Sequence, residues 1–72
     1  VLGEAGAVLV LEEAEAARRR GARIYAEVAG CGMTCDAYHV VAPHPEGSFA
    51  AQAMRMALEE ARLAPDQVGY VN

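Results

Sequence analysis

The apolar and polar positions of the N-terminal part of the chain follow three patterns. Ala7–Leu11 is continuously apolar, as is typical of a strand buried on both faces, and the glycines of residues 1–6 suit a tight backbone approach before it. Glu12–Arg20 has acidic residues first and arginines last, and Gly21 follows it, so a short helix is predicted. Arg23–Gly30 alternates polar and apolar side chains, which predicts a second strand. By default these two strands would be parallel, joined by a right-handed crossover.

The arginines at the end of this helix form a basic cluster with Arg23. Such a cluster could dock an acidic partner protein. The pattern favours a solvated helix end instead, because runs of charge usually lie on an exposed face.

The C-terminal part has a helical period. Ser48 is a suitable N-cap for a helix over about Phe49–Leu63. The apolar stripe of this helix consists mainly of alanines, with Ala50, Ala53, Met54, Ala57, Leu58 and Ala61. A stripe of small side chains predicts close packing against another element. Pro65 and Asp66 indicate a turn, and Val68–Asn72 predicts the start of a further strand.

Between these parts lies Gly30–Ser48, a loop-like segment that contains both cysteines and both histidines of the chain. The side chains of zinc-ligand type are Cys31, Cys35, Asp36, His39 and His44. A Cys-x3-Cys spacing followed by histidines at these offsets is not a dependable zinc signature. The pattern therefore disfavours a metal site.

A cysteine nucleophile activated by a histidine is a second hypothesis for this loop. For Cys31 the pattern favours a small buried side chain at the end of a strand, which is the usual role of a free cysteine. Asp36 and His39 are three residues apart, so the aspartate could orient the imidazole or cap a short turn. Both possibilities stay open at this point.

Composition bounds the class of protein. Six basic and ten acidic residues give a net charge of −4, which argues against nucleic acid or an anionic membrane as the main partner. No stretch approaches the length of a membrane span, and two unaccompanied cysteines fit the reduced thiols of a cytoplasmic protein. Alanine accounts for 16 of the 72 residues, so few large apolar side chains remain for a core. We therefore expect a piece of a larger protein.

Taken together, these segments resemble one enzyme family across essentially the whole chain. The stretches that carry the resemblance are Gly3–Glu12, Ala17–Val28, Cys35–His39, Ala42–Pro43, Pro45–Gly47, Ala53–Leu58 and Gly69–Asn72. They are similar to the middle of β-ketoacyl-[acyl carrier protein] synthases, the condensing enzymes of fatty-acid and polyketide synthesis, and in particular to the fatty-acid synthase II type.

The resemblance implies an α/β fold, the thiolase-type αβαβα sandwich, with two similar halves each built on a mixed five-stranded sheet. Residues 1–30 would end the N-terminal half, residues 31–48 would form a connecting loop on the active-site side, and residues 49–72 would start the C-terminal half. The family pairs Ala7–Leu11 and Arg23–Gly30 antiparallel, and this expectation replaces the parallel default.

The resemblance also implies a reaction. An acyl group is transferred to an active-site cysteine and then condensed, with decarboxylation, with malonyl-[acyl carrier protein], assisted by two histidines. These catalytic residues would lie outside this chain, so the chain alone is expected to be inactive and Cys31 and Cys35 are not expected to be the nucleophile. No metal or cofactor is implied. The complete enzyme would be a cytoplasmic homodimer with acyl carrier protein as its partner.

Within the chain, Asp36 and His39 match a family loop near the active-site entrance, associated with substrate access. Val41 and Ala42 stand where relatives often have Thr and Ser, so those hydroxyl contacts to a pantetheine arm would be missing.

Two alternatives remain to a fatty-acid condensing enzyme. One is a polyketide ketosynthase or its chain-length partner, and the other is a small metal-binding or interaction module.

Overall fold

A computed structural model describes residues 2–72, so Val1, the first of the residues 1–30 predicted to end the N-terminal half, lies outside the described residues. Two helices are present, α1 (Ala14–Arg19) and α2 (Ser48–Ala61), followed by a 3₁₀ turn at Pro65–Gln67. This turn confirms the one predicted at Pro65 and Asp66. Neither helix is long and apolar enough to span a membrane, a statement that covers residues 2–72.

Helix α1 confirms the short helix predicted over Glu12–Arg20, with tighter bounds. It begins at Ala14 because the carboxylate of Glu13 accepts hydrogen bonds from the backbone N–H groups of Glu15 (3.2 Å) and Ala16 (2.9 Å). It ends before Gly21, which has a φ of 71° and so takes the left-handed conformation that terminates many helices.

An ion pair joins the two ends of this helix. Arg20 Nε donates to both carboxylate oxygens of Glu12, at 2.8 and 2.9 Å, and Nη2 donates a further hydrogen bond. These hydrogen bonds are the main reason that the pKa of Glu12 lies below its usual value, and the same contact raises the pKa of Arg20. The chain is thereby clamped where it enters and leaves α1.

The three predicted strands are not confirmed, because none of them forms in this chain. Ala7–Leu11, Arg23–Gly30 and Val68–Asn72 form no strand, and no backbone hydrogen bond joins the first two segments within residues 2–72. A strand exists only where a neighbour supplies the other half of its hydrogen-bond ladder. The first two segments instead line an open cleft of about 780 Å³, so neither the parallel nor the antiparallel pairing forms.

Helix α2 confirms the helix predicted over Phe49–Leu63 but has different ends. Ser48 is its first residue and not the N-cap; Gly47 holds that position at a φ of 63°, without a side-chain cap. Arg62 follows the helix in the left-handed conformation, and its N–H donates to the carbonyl of Glu59 at 3.1 Å. Glycine at position 47 is favoured because few other residues adopt its backbone conformation readily.

The segment at residues 30–36 lies against α2 and alternates between two sides. The half-buried residues are Gly30, Gly32, Thr34 and Asp36, and the exposed ones between them are Cys31, Met33 and Cys35. A period of two is the period of an extended chain. Every second residue therefore faces α2 or the loop that precedes α2, although the segment forms no hydrogen-bond ladder with another strand.

The closest approach is between two glycines and the alanine stripe. A Cβ at Gly30 would lie 2.8 Å from the backbone N of Ala61, and a Cβ at Gly32 would lie 2.8 Å from the backbone C of Ala53 and 3.0 Å from the N of Ala57. The predicted close packing of the alanine stripe is confirmed. The tight approach predicted for the glycines of residues 1–6 is wrong, because nothing lies within 4 Å of a Cβ at Gly3 or Gly6.

Little of this chain is buried. Ala17, which is 6% exposed, is the one buried apolar residue among those described, whereas Val8 and Leu9 are 90% and 86% exposed. The accessible surface is 6993 Å², against about 4,300 Å² for a compact monomer of this mass. The radius of gyration is 16.4 Å, against about 11 Å for a compact domain of this length. The apolar segments therefore need cover that this chain does not supply to itself.

We expect Gly32→Ala to destabilise the protein by about 1–3 kcal/mol, because the new methyl group meets backbone atoms of α2 that cannot rotate away. Urea denaturation of the full-length protein measures this change. Gly69→Ala is the matched control, since a Cβ there meets nothing within 4 Å. Equal stability of the two variants would contradict the close packing.

We expect Arg20→Gln to raise the pKa of Glu12 towards its usual value, because the main cause of the lowered pKa is removed. Carbon-detected NMR titration of the glutamate carboxyls measures this shift, and Arg19→Gln should leave Glu12 unchanged. Because the folded-state pKa of Glu12 is the lower one, the stabilisation is present at neutral pH and is lost as the pH falls through that pKa. A Glu12 titration that Arg20→Gln does not alter would contradict the clamp.

Candidate functional site

Asp36, the first of the two predicted site residues, joins the start of the loop to the residues just before α2. Its Oδ2 accepts a hydrogen bond of 2.8 Å from the backbone N–H of His44, and the contact is partly buried. The next residue, Ala37, has a φ of 48°, a left-handed conformation that an alanine adopts at a cost of about 1 kcal/mol. The loop therefore turns sharply at Ala37, and the bond from His44 to Asp36 holds the turned conformation.

His39, the second predicted site residue, organises its own turn. Its Nδ1 accepts hydrogen bonds from the backbone N–H groups of Val41 and Ala42, both at 3.1 Å. Accepting at Nδ1 places the proton of a neutral imidazole on Nε2. No hydrogen bond joins Asp36 to His39 in the described part of the chain. Asp36 therefore does not orient the His39 ring, and the open alternative of a turn held by the aspartate fits the structure better.

His44 lies at the centre of the loop, a role that the sequence did not indicate. Its ring packs edge-to-face against Tyr38, with centroids 5.1 Å apart, and against Phe49, with centroids 5.9 Å apart. Its Nδ1 accepts a 3.3 Å hydrogen bond from the N–H of Glu46. The signal that could have revealed it is a histidine fixed between two prolines, shortly before an aromatic residue at the start of a helix.

The loop is also joined to the first turn of α2 by a polar contact. Thr34 Oγ1 donates a 2.6 Å hydrogen bond to the carbonyl oxygen of Phe49, and the contact is partly buried. The N–H of Gly47 donates to the carbonyl of His44 at 3.0 Å and closes the turn that enters the helix. Backbone, side-chain and aromatic contacts thus converge on the start of α2.

The cysteines do not take part in this cluster. Cys31 and Cys35 are free thiols on the exposed side of the segment, so the expectation that Cys31 is buried is wrong. The backbone N–H of Cys31 donates to the carboxylate of Glu60 at 2.6 Å, which fixes the main chain and leaves the thiol outside. No group of three or more His, Cys, Asp or Glu side chains that could hold a metal ion occurs within residues 2–72.

The arginine cluster is a solvated helix end. Arg18 pairs with Glu15 at 2.5 Å with both side chains more than half exposed, and Arg20 pairs with Glu12. Arg23 lies over the ring of Tyr25, 4.7 Å from its centroid. Contacts within the chain thus involve Arg18, Arg20 and Arg23, in agreement with a solvated helix end and not with a docking site for an acidic protein.

Comparison with known proteins gives the family. The model described as "Beta-ketoacyl synthase, C-terminal domain" matches residues 25–72. The chain therefore belongs to the β-ketoacyl synthase family, and this membership implies a thiolase-like fold for the protein that contains it. The resemblance found in the sequence is confirmed.

Curated relatives match over the full 72 residues. The 3-oxoacyl-[acyl-carrier-protein] synthase 2 of Synechocystis sp. is 50% identical, with 17% of its length covered. The proteins of the same name from Vibrio cholerae and Staphylococcus aureus are 51% and 49% identical, with 17% and 18% of their lengths covered. The chain thus spans less than a fifth of the length of these relatives.

We expect Thr34→Val to cost about 1 kcal/mol, because it keeps the shape of the side chain and removes the hydrogen bond to the Phe49 carbonyl. Thr34→Ser keeps the hydroxyl and serves as the control. Urea denaturation of the full-length protein gives the free energies of unfolding, and hydrogen exchange reports on the first turn of α2. A Thr34→Val protein as stable as the wild type would show that this bond does not hold the loop.

Proposed function

We propose that this chain is an internal segment of a 3-oxoacyl-[acyl carrier protein] synthase. The complete enzyme condenses an acyl group, held as a thioester on an active-site cysteine, with malonyl-[acyl carrier protein] in fatty-acid elongation. Carbon dioxide is released in this step. The observation that carries the proposal is identity of about 50% over all 72 residues to synthases of that name from Synechocystis sp., Vibrio cholerae and Staphylococcus aureus.

The segment contributes framework and no catalytic group. Cys31 and Cys35 face solvent, and no hydrogen bond joins either thiol to a histidine within residues 2–72. A thiol nucleophile needs a neighbouring base or cation to become a thiolate. The family resemblance implies that the nucleophilic cysteine and the two assisting histidines lie outside this chain, so we propose that the 72 residues alone are inactive; the exposed thiols are consistent with this.

Asp36 and His39 form part of a loop that admits the substrate to the active site. The loop suits this role because its conformation is specific: it is held by the bond from His44 to Asp36 and by the turn around His39. The left-handed Ala37 adds a strained position, and such positions are enriched at functional sites. A loop of this kind can hold one conformation firmly and still rearrange locally.

The architecture proposed for the complete protein supplies the strand partners and the cover that the apolar segments of this chain lack. Residues 1–30 would end the N-terminal half, residues 31–48 would connect the halves, and residues 49–72 would start the C-terminal half. In the mixed five-stranded sheet of such a half, Ala7–Leu11 and Arg23–Gly30 would pair antiparallel and be covered by other elements. The high exposure of Val8 and Leu9 in this chain supports the need for that cover.

Acyl carrier protein is the proposed partner, and it also appears in the names of the relatives. The net charge of −4 supports the view that neither nucleic acid nor an anionic membrane is a main partner. A cytoplasmic homodimer is proposed for the complete enzyme. Size-exclusion chromatography with light scattering on the full-length protein would give its oligomeric state.

The test of activity is an incubation with acyl- and malonyl-[acyl carrier protein], followed by mass spectrometry of the product. The full-length protein should yield the 3-ketoacyl thioester and carbon dioxide, whereas the isolated 72 residues should yield neither. A full-length protein without this activity would overturn the proposed reaction. Product from the isolated chain would overturn the assignment of the catalytic groups.

The test of the access loop is Asp36→Ala in the full-length synthase. We expect the KM for malonyl-[acyl carrier protein] to rise about tenfold with a smaller change in kcat, because the loop loses the bond that holds it. Gln52→Ala, on the exposed side of α2, is the control and should leave both constants unchanged. A KM for Asp36→Ala equal to that of the control would argue against the access role.

A further inference from the structure

Several contacts meet at His44, in addition to the hydrogen bond that its carbonyl accepts from the N–H of Gly47 at 3.0 Å. Its backbone N–H donates to Asp36, its Nδ1 accepts from the N–H of Glu46, and its ring lies edge-to-face between Tyr38 and Phe49. Together these contacts link the loop residue proposed to act in substrate access with the first turn of α2.

The bond to Asp36 needs something to hold His44 in place. Asp36 lies next to the left-handed Ala37, whose conformation favours relaxation of the loop. The stabilisation from a single hydrogen bond in a partly exposed site is comparable with the cost of the left-handed conformation at Ala37. The hydrogen bond from Gly47 holds the carbonyl of His44, and the ring contacts with Tyr38 and Phe49 hold its side chain. We infer that the ring contacts are needed to keep the His44 N–H aimed at the Asp36 carboxylate.

Of the two rings that contact His44, that of Phe49 belongs to a residue of the helix. Phe49 lies in α2, and its carbonyl accepts the hydrogen bond from Thr34, so its position is set by the helix and by the segment that crosses it. Tyr38, on the other side, follows directly after Ala37 and belongs to the loop itself. The imidazole of His44 is the group that joins the two.

We propose that His44 is a positioning residue for the carrier-borne malonyl thioester. Through its ring it holds Asp36 in the conformation that admits this substrate. This inference rests on the proposed function of the Asp36 loop. His44 touches none of the reacting atoms, and its effect passes through Asp36.

Two substitutions separate the ring from its nitrogen. His44→Phe keeps an aromatic ring between Tyr38 and Phe49 and removes the acceptor for the Glu46 N–H. His44→Asn keeps an acceptor in a similar place and removes the ring. If the ring is what positions Asp36, the phenylalanine variant stays close to the wild type and the asparagine variant does not.

The experiment measures steady-state kinetics of the full-length synthase with malonyl-[acyl carrier protein]. We expect His44→Asn to raise the KM about tenfold with kcat changed less than about twofold, and His44→Phe to change the KM less than about twofold. The double variant Asp36→Ala/His44→Asn should match Asp36→Ala alone, because both substitutions act on one contact. A purely structural loss at His44 would instead add to the effect of Asp36→Ala.

The outcomes separate this inference from the proposal on which it rests. If Asp36→Ala leaves the KM unchanged, the access role fails and the inference fails with it. If Asp36→Ala raises the KM but His44→Asn does not, the access role stands and the inference is overturned. Additive effects in the double variant, or a tenfold rise in KM for His44→Phe, would also overturn it.

Discussion

The backbone at Gly30 and Gly32 lies directly on the alanine stripe of α2, and the placement of the loop that follows depends on that contact. Gly30 and Gly32 allow it because neither carries a Cβ that would meet the helix backbone. The contact also sets the phase of the segment, so that Thr34 and Asp36 face inwards and the cysteines face outwards. A slip of one residue would turn both polar side chains away from their partners.

Beyond this contact, the chain orders itself mainly through polar interactions between near neighbours. Glu13 caps α1, His39 gathers two backbone N–H groups, and the Gln67 side chain accepts from the N–H of Ala64 at 2.7 Å. Such interactions fix turns and helix ends without a large core. They define local shape, whereas the free energy that would come from burying apolar surface has to come from contacts with other segments.

The sequence predicted the elements that depend on local signals and failed where a distant partner decides. Helices α1 and α2 follow from charge order and a period of 3.6, which neighbouring residues satisfy among themselves. The strand patterns of Ala7–Leu11 and Arg23–Gly30 predicted burial and pairing, but both need segments that are not their neighbours here, and nearly all of these residues are exposed in this chain. At the loop, Asp36 and His39 were named from the family resemblance and their role in substrate access stays a prediction, whereas the contacts of His44 depend on two rings that only folding brings together.

The exposure of Ala7–Leu11 has a consequence for the handling of this polypeptide. Five consecutive apolar residues without charge or proline, unpaired along the backbone, form the kind of segment from which intermolecular β-aggregates grow. During synthesis the same stretch would leave the ribosome before the residues that follow it in the chain. It would then be a natural binding site for a chaperone, and a solubilising fusion partner would be the practical remedy for the isolated segment.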